Sequence, residues 1–432
     1  MTISHPDLSL QLPANLLQWG ILILPFYPTV GAIILGFAAL LAWLRKYPIL
    51  IHRPLNWGFA VFSIFLIISA IFAWQKQDAV FGLFNLIPFF WLFAATSIIV
   101  QTPTQLRRIA QILVYVSLPV CLLGFLQLFL QLQTPPIWEQ IFGWSIIAGG
   151  NPTGRMSSLF IYANIFAGYT VTVFIFGLGL WIELYHKIRC RSIQPNLNFI
   201  LLTLIVMINF ASLILSNSRN AWLIAILTCI AYALYQGWRI IVSVTLGIGT
   251  SMLLAAYAPL SIANFFRRFV PEFFWSRLND QQFRDRPVVT MRKTQWDFVW
   301  GMMRDRPLTG WGLRNFTPLY EKNTGVWLGH PHNLYLMLAG EVGIPATLLF
   351  ITLLMGILIS SIQALRIGKN LFSEDDMIIF TYILGFLGFL LFNTFDVTLF
   401  DFRLNVLFWT IMGALTGNIY YLKSLDKKSL HN

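Results

Sequence analysis

Charge is scarce in this chain. Only 11% of its 432 residues are Asp, Glu, Lys or Arg, where a soluble domain carries roughly 25%. That shortage argues against a soluble globular protein. Acidic residues are the scarcer sign, 17 against 29 Lys and Arg, which leaves a formal net charge of +12. Cysteine is also sparse: Cys121, Cys190 and Cys229 are scattered and form neither a disulfide framework nor a zinc spacing. There is no Walker loop and no dinucleotide fingerprint, which argues against ATP-driven work by this chain alone. The start, MTISHPDLSLQLP, lacks the basic n-region and small-residue cleavage site of a signal peptide, so the first hydrophobic helix is expected to be retained. No internal repeat is evident.

What is abundant is apolar. Residues of apolar type make up 57% of the chain, and the mean hydropathy is +0.70. Apolar runs of about 17–25 residues recur, the length that crosses a hydrocarbon core. Helices are the open-chain solution there, because each backbone group pairs within its own segment. The expected fold is therefore all-α and polytopic, with about twelve spans: roughly 15–27, 29–44, 56–73, 79–100, 109–131, 158–184, 198–215, 220–236, 239–258, 334–363, 377–398 and 404–422. This divides the chain into an N-terminal transmembrane bundle, 1–258, a large external loop, 259–333, and C-terminal helices with a short tail, 334–432.

Loop charge sets the expected orientation. Basic residues collect in alternate loops, around Arg45, Lys46 and Arg53; Arg107 and Arg108; Lys187, Arg189 and Arg191; Arg239; Arg366 and Lys369; and Lys423, Lys427 and Lys428. The positive-inside rule puts these loops and both termini in the cytoplasm. The net charge then reflects orientation and contact with anionic lipid or substrate, not nucleic acid. Arg155, Arg219, Arg292, His330, His332, Asp396 and Asp401 all fall on the opposite, external face. Within the large loop, Phe265–Phe269 and Phe273–Trp275 mix aromatic and basic residues as an interfacial segment does. Trp296, Val299, Trp300 and Met303 recur at helical spacing.

Several of these residues carry chemistry. His332, in His330-Pro331-His332-Asn333, lies where the loop re-enters the membrane. An imidazole there suits a general base, or it caps a helix or bonds a carbonyl. A zinc pair with His330 finds no third ligand at useful spacing. Arg219 sits in the tight hairpin Ser216-Asn217-Ser218-Arg219-Asn220. A charge held this close to the bilayer is a functional candidate by default, or it snorkels to headgroups. Arg155 follows Gly149-Gly150-Asn151-Pro152-Thr153-Gly154 and precedes a span carrying Tyr162 and Asn164. Two or more guanidiniums on one face suit a diphosphate, and an interfacial anchor is the alternative. Asp396, Asp401 and Arg403 flank the last external turn, where a carboxylate either orients His332 or pairs with Arg403. Glu341, shortly after His332, either faces a cavity or ends a re-entrant segment.

These segments resemble the O-antigen ligase and polymerase superfamily of bacterial envelope glycosyltransferases. The resemblance runs over roughly 150–350. It is carried by Ser216-Asn-Ser218-Arg219-Asn-Ala-Trp, Pro307-Leu-Thr-Gly310-Trp-Gly312-Leu-Arg-Asn315-Phe316, His330-Pro-His332-Asn333-Leu-Tyr335-Leu and Glu341-Val-Gly343-Ile-Pro. Gly154-Arg155 with Asn164 fits a weaker segment of the family. Ala346 stands where the ligase form has a further glycine, which leaves ligase and polymerase unresolved. The resemblance implies a GT-C-like fold in a bacterial inner membrane, with the active site on the periplasmic face. It implies a metal-independent transfer, without cofactor, of a glycan from a polyprenyl diphosphate to an envelope glycan or lipid-linked acceptor such as lipopolysaccharide. His332 would be the general base. Arg155 and Arg219 would hold the diphosphate, with Arg292 assisting there or at the acceptor. Ser218, Asn164, Asn333, Asp396, His330 and Glu341 would support them. The aromatic loop would cover the donor lipid, and Trp311 and Trp327 would stack on sugars. Some members of the superfamily carry a bicarbonate-transport label, so small-anion transport is the alternative. Arginines gathered at one face favour a surface-opening site over a path through the midplane.

Overall fold

The computed structural model describes residues 5–191, 194, 196–279, 287–371 and 375–429, and all regular structure among them is helical. The side chains of Arg191, Lys369, Lys427 and Lys428, which enter the orientation argument, lie outside what is described. The first part of the chain forms α1 (Gln11–Ile23), α2 (Pro28–Ile51), α3 (Pro54–Ile71), α4 (Lys76–Leu83), α5 (Ile87–Ile99) and α6 (Pro103–Phe129). A short α7 (Pro136–Phe142) precedes α8 (Ala163–Arg191), α9 (Leu197–Leu215), α10 (Arg219–Tyr235) and α11 (Arg239–Tyr257). The 259–333 segment contains α12 (Leu260–Phe266), α13 (Glu272–Leu278), α14 (Arg292–Asp305) and α15 (Phe316–Thr324). The chain closes with α16 (Leu334–Val342), α17 (Ile344–Leu371), α18 (Asp376–Phe392) and α19 (Phe402–Ser429).

Eight described helical segments are long and apolar enough to cross a membrane, against about twelve expected. The other four expected spans are present as helices. Three of them, α1, α10 and α18, are shorter apolar helices of 13, 17 and 17 residues. The fourth, α19, is long, but buried Asn405, Thr410, Thr416 and Asn418 dilute its apolar character. The span expected over 334–363 is broken at Gly343 into α16 and α17.

Local signals explain the helix ends. Thr102 starts α6 with a capping box: its hydroxyl accepts from the Gln105 amide, and the Gln105 carboxamide accepts from the Thr102 amide. Proline opens α2, α3 and α6 at the first turn, where its missing N–H costs nothing. In the bundle, α8 is the central helix and packs against α6, α9, α10 and α18. The pair α5 and α19 packs closely. A Cβ on Gly417 would stand 2.0 Å from the Val100 carbonyl oxygen, and one on Gly413 would stand 2.8 Å from that of Phe93. Small residues four apart permit this backbone approach, which drives helix pairing where lipid removes the hydrophobic incentive. Trp409 of α19 is fully buried edge-on against Phe59, Phe90 and Phe93. By contrast, α11 stands off the bundle, packing mainly on α10, α12 and α13 and leaving Ile240, Val244, Ile248 and Leu253 exposed.

The 259–333 segment is bound to the bundle by backbone. The Trp311 and Gly312 amides donate to the carbonyls of Gly340 and Glu341, and the Ile344 amide donates to Pro307. Gly310 and Gly343 have φ of +65° and +88°. A Cβ at either would fall within 2.3 Å of Glu341 or Leu308 backbone atoms, so only glycine fits these two positions. Glu341 belongs to this junction. Its Oε1 accepts from the Phe316 amide at 3.0 Å, and its carbonyl also accepts from Ser69 Oγ. The side chain is 1% exposed, and burial pushes its carboxyl up to about 7, against the hydrogen bond from Phe316.

Candidate active site

The centre of the site is the turn between α9 and α10. Asn217 takes φ +52° there, a conformation that asparagine tolerates better than most residues. Ser218, buried, occupies the N-cap position of α10. Three guanidiniums meet at this turn. Arg155 Nε donates to the Ser216 carbonyl at 2.9 Å, and Arg277 Nε donates to the Asn217 carbonyl at 3.1 Å. Arg219, the first residue of α10, donates from Nη1 to the Leu278 carbonyl at 3.1 Å. The turn and the end of α13 are thus stitched to each other by reciprocal arginines. Arg155 and Arg277 are both buried, each 5% exposed. Two of the three guanidiniums thus stand in a low-dielectric place, where charge interactions are strong.

A second arm runs from Arg155 to the histidines. Arg155 Nη2 donates to Asn164 Oδ1 at 2.6 Å, and Asn164 Nδ2 donates to Asp396 Oδ2 at 2.9 Å. Asp396 Oδ1 lies 3.4 Å from His332 Nδ1 and 3.7 Å from His330 Nε2, and it accepts from the Val397 amide. Burial alone would raise the Asp396 carboxyl. The hydrogen bond and charge of His332, together with His330, outweigh burial and hold it well below the usual carboxylate range. Asp396 therefore stays ionised at neutral pH. His330 goes the other way: burial pushes its imidazole down, and the charges of His332 and Arg292 add to that, against the pull of Asp396. Its Nδ1 accepts from the His332 backbone amide at 3.2 Å, which assigns its proton to Nε2, facing the carboxylate.

The histidine turn is pinned on three sides. Trp296 Nε1 of α14 donates to the Pro331 carbonyl, the Leu334 amide donates to the Asn393 carbonyl, and Tyr335 Oη donates to the Leu390 carbonyl. Asn333 Oδ1 caps α16 by accepting from the Leu336 amide. His332 is held at φ +52°, a costly conformation for a non-glycine residue and one that clusters at functional sites. With Nδ1 turned to Asp396, the other ring nitrogen, Nε2, remains for a reacting group.

The fold thus brings Arg155, Asn164, Arg219, His330, His332 and Asp396 into one network, although His332 and Asp396 lie 64 positions apart. Arg292, at the start of α14, is half-buried and close enough for its charge to act on His330. Other candidates lie elsewhere or act structurally. Glu341 is sealed in the loop junction described above. Asp401 caps α19 through the Leu404 amide, and Arg403 donates to the Leu159 and Gly143 carbonyls instead of pairing with an acid. Trp311 donates its indole N–H to the Met302 carbonyl and carries the Arg306 guanidinium 4.1 Å from its ring centroid. Trp327 is 66% exposed. Arg277 was not singled out from sequence. The readable signal was an arginine three residues after Phe274 in the aromatic segment. His330, His332 and Asp396 also place three ligand atoms within 4.8 Å of one another. The third ligand that local spacing lacked comes from a distant turn, and the set would suit a borderline transition metal such as zinc.

An all-helical, membrane-spanning chain with a histidine–aspartate dyad beside an arginine cluster is the class this arrangement defines. Residues 202–351 match the family model described as O-antigen ligase, which supports membership of the O-antigen ligase superfamily. The match contains Arg219, Arg277, Arg292 and both site histidines, while Arg155, Asn164 and Asp396 lie outside it. The apolar helices and this match together mark an integral membrane protein, and the match points to an enzyme of glycosyltransferase type. Comparison with curated proteins finds no match.

Proposed function

We propose that the protein transfers a glycan from a polyprenyl diphosphate to an envelope glycan or lipid-linked acceptor, with His332 as general base. The observation that carries this reading is the line Arg155–Asn164–Asp396–His332, which ties an arginine cluster to an oriented imidazole. His332 Nε2 takes the proton of the acceptor hydroxyl as its oxygen bonds to the anomeric carbon. The bond from that carbon to the diphosphate oxygen breaks, and its electron pair leaves with the diphosphate. Asp396 offsets the imidazolium that forms, as the third member of a triad does. Arg155, Arg219 and Arg277 offset the charge developing on the leaving group, often the largest catalytic contribution. Arg292 stands on the histidine side, where an acceptor would enter. In this reading the site opens on the periplasmic face of the inner membrane and both termini are cytoplasmic.

The test is reconstitution of the purified protein in liposomes with a polyprenyl-diphosphate oligosaccharide and a crude envelope acceptor. Wild type should release polyprenyl diphosphate only when acceptor is present. His332→Ala should lose at least about 10²-fold of that rate while inserting normally. Equal release by His332→Ala would remove the general base. Absence of release with every donor, together with anion flux into the same liposomes, would favour transport.

A further inference from the structure

His330 Nε2 and His332 Nδ1 both face one oxygen, Asp396 Oδ1, at 3.7 and 3.4 Å, and the three atoms lie within 4.8 Å of one another. Ligand atoms about 2.0–2.1 Å from a tetrahedral metal stand roughly 3.4 Å apart. The two edges that meet at the carboxylate are therefore near metal spacing. Two imidazoles and a carboxylate suit a borderline cation such as zinc. The histidine side chains are 28% and 29% exposed, so an ion can reach them from the surface.

The surroundings decide whether such an ion is a fixed part of the fold or a visitor. A histidine in a resident metal site usually turns its second ring nitrogen to an acceptor. His330 has a donor there instead, because its Nδ1 accepts from the His332 amide at 3.2 Å. A metal on Nε2 sends the ring proton to Nδ1 and breaks that bond, which weakens binding about fivefold. The charge of Arg292 also acts on His330 and opposes a cation. The site is thus built for reversible binding.

What the ion leaves untouched matters as much. A metal on Asp396 Oδ1 leaves Oδ2 with Asn164 at 2.9 Å, and Asn164 keeps Arg155 at 2.6 Å. The arginine cluster is therefore undisturbed. On the other side, a metal on His332 Nδ1 moves that ring's proton to Nε2 and takes Asp396 away from the ring.

We propose that His330, His332 and Asp396 form a reversible binding site for zinc that disables the base while leaving the donor side intact. The metal site stands on geometry. Its effect on transfer rests on the proposed role of His332, and it makes zinc an inhibitor that lowers kcat without competing with donor.

Cobalt(II) is the probe for binding, in protein without a histidine tag and with the exposed Cys190 replaced in Cys190→Ser. This parent should show the visible absorption of a four-coordinate cobalt ion, and zinc should abolish it. His330→Gln and Asp396→Asn should each weaken cobalt binding at least about tenfold. No such absorption in the parent, or full retention in both variants, overturns the site. Diphosphate release in liposomes measures the consequence. Zinc should drive kcat down and leave KM for the donor within about twofold. The zinc needed for half-inhibition, scored against each protein's own uninhibited rate, should rise at least about tenfold in His330→Gln. Zinc that raises donor KM at constant kcat acts on the diphosphate side and overturns the proposal. Cobalt bound as expected in a protein that releases no diphosphate from any donor would keep the metal site and sink the transferase reading instead.

Discussion

Replacing Asp396 by asparagine isolates one charge at the centre of the proposed mechanism. The carboxylate oxygen lies 3.4 Å from His332 Nδ1. At an effective dielectric of about 20, a unit pair at that distance is worth about 5 kcal/mol. The site is partly open, with the His332 side chain 29% exposed, so we take about 3 kcal/mol as the share felt by the imidazolium in the transition state. That corresponds to roughly a 10²-fold fall in kcat. A smaller effect on donor affinity follows from hydrogen-bond polarity. Asp396 Oδ2 accepts from Asn164 Nδ2. An amide that keeps its oxygen on Val397 presents an NH2 to Asn164. Asn164 would then flip and offer its own NH2 to Arg155 in place of the present acceptor. KM for the donor should therefore rise, by less than about fivefold, one neutral hydrogen bond being worth about 1 kcal/mol. Steady-state release of polyprenyl diphosphate in liposomes resolves the two parameters. A fall in kcat below about fivefold would show that Asp396 does not stabilise a charged His332, and the dyad would have to be abandoned.

Two further predictions concern other parts of the molecule. Glu341 rises from 4.5 to about 7 on burial, so the fold takes up a proton between those values. Its contribution to stability is complete below about pH 4.5 and is lost as pH rises through about 7, roughly 3 kcal/mol in all. Glu341→Gln should flatten the pH dependence of thermal unfolding over this window, and an unaltered slope would contradict the buried-proton account. At the histidines, transfer should survive a strong chelator, whereas added zinc should inhibit reversibly. A metal held by His332 Nδ1 leaves the ring's proton on Nε2, where it cannot accept another. Loss of activity in chelator that zinc restores would instead make the metal part of the enzyme.

Much of the site was readable because its residues are misfits. Arg219 in a five-residue hairpin and His332 at the end of a polar loop stand out against apolar surroundings. Pairing was harder to read. Asp396 was one of two acids near the last external turn, and only the fold shows that it faces His332 while Asp401 caps α19. The partner of Glu341 is the backbone amide of Phe316, a contact that leaves no trace in a side-chain pattern. The same holds for Trp311, whose N–H goes to the Met302 carbonyl. Arg277 was hidden in a segment read for its aromatic character. Span number depends on hydropathy summed over length, and α19 shows how buried amides and hydroxyls inside a bundle lower that sum without moving the helix out of the core.

The glycine-sealed contact between the 307–312 strand of loop and α16 has a practical consequence for engineering. Because backbone meets backbone at Gly310 and Gly343, this part of the seam offers no side chains to redesign. A chimera that exchanges only 259–333 with a relative would split this seam between two sequences, since its amide–carbonyl bonds join 307–312 to 340–344. The exchangeable module is offset from the loop. It starts at α14, runs past the histidine turn and ends beyond Gly343, so the proposed base and the side proposed for the acceptor travel as one cassette.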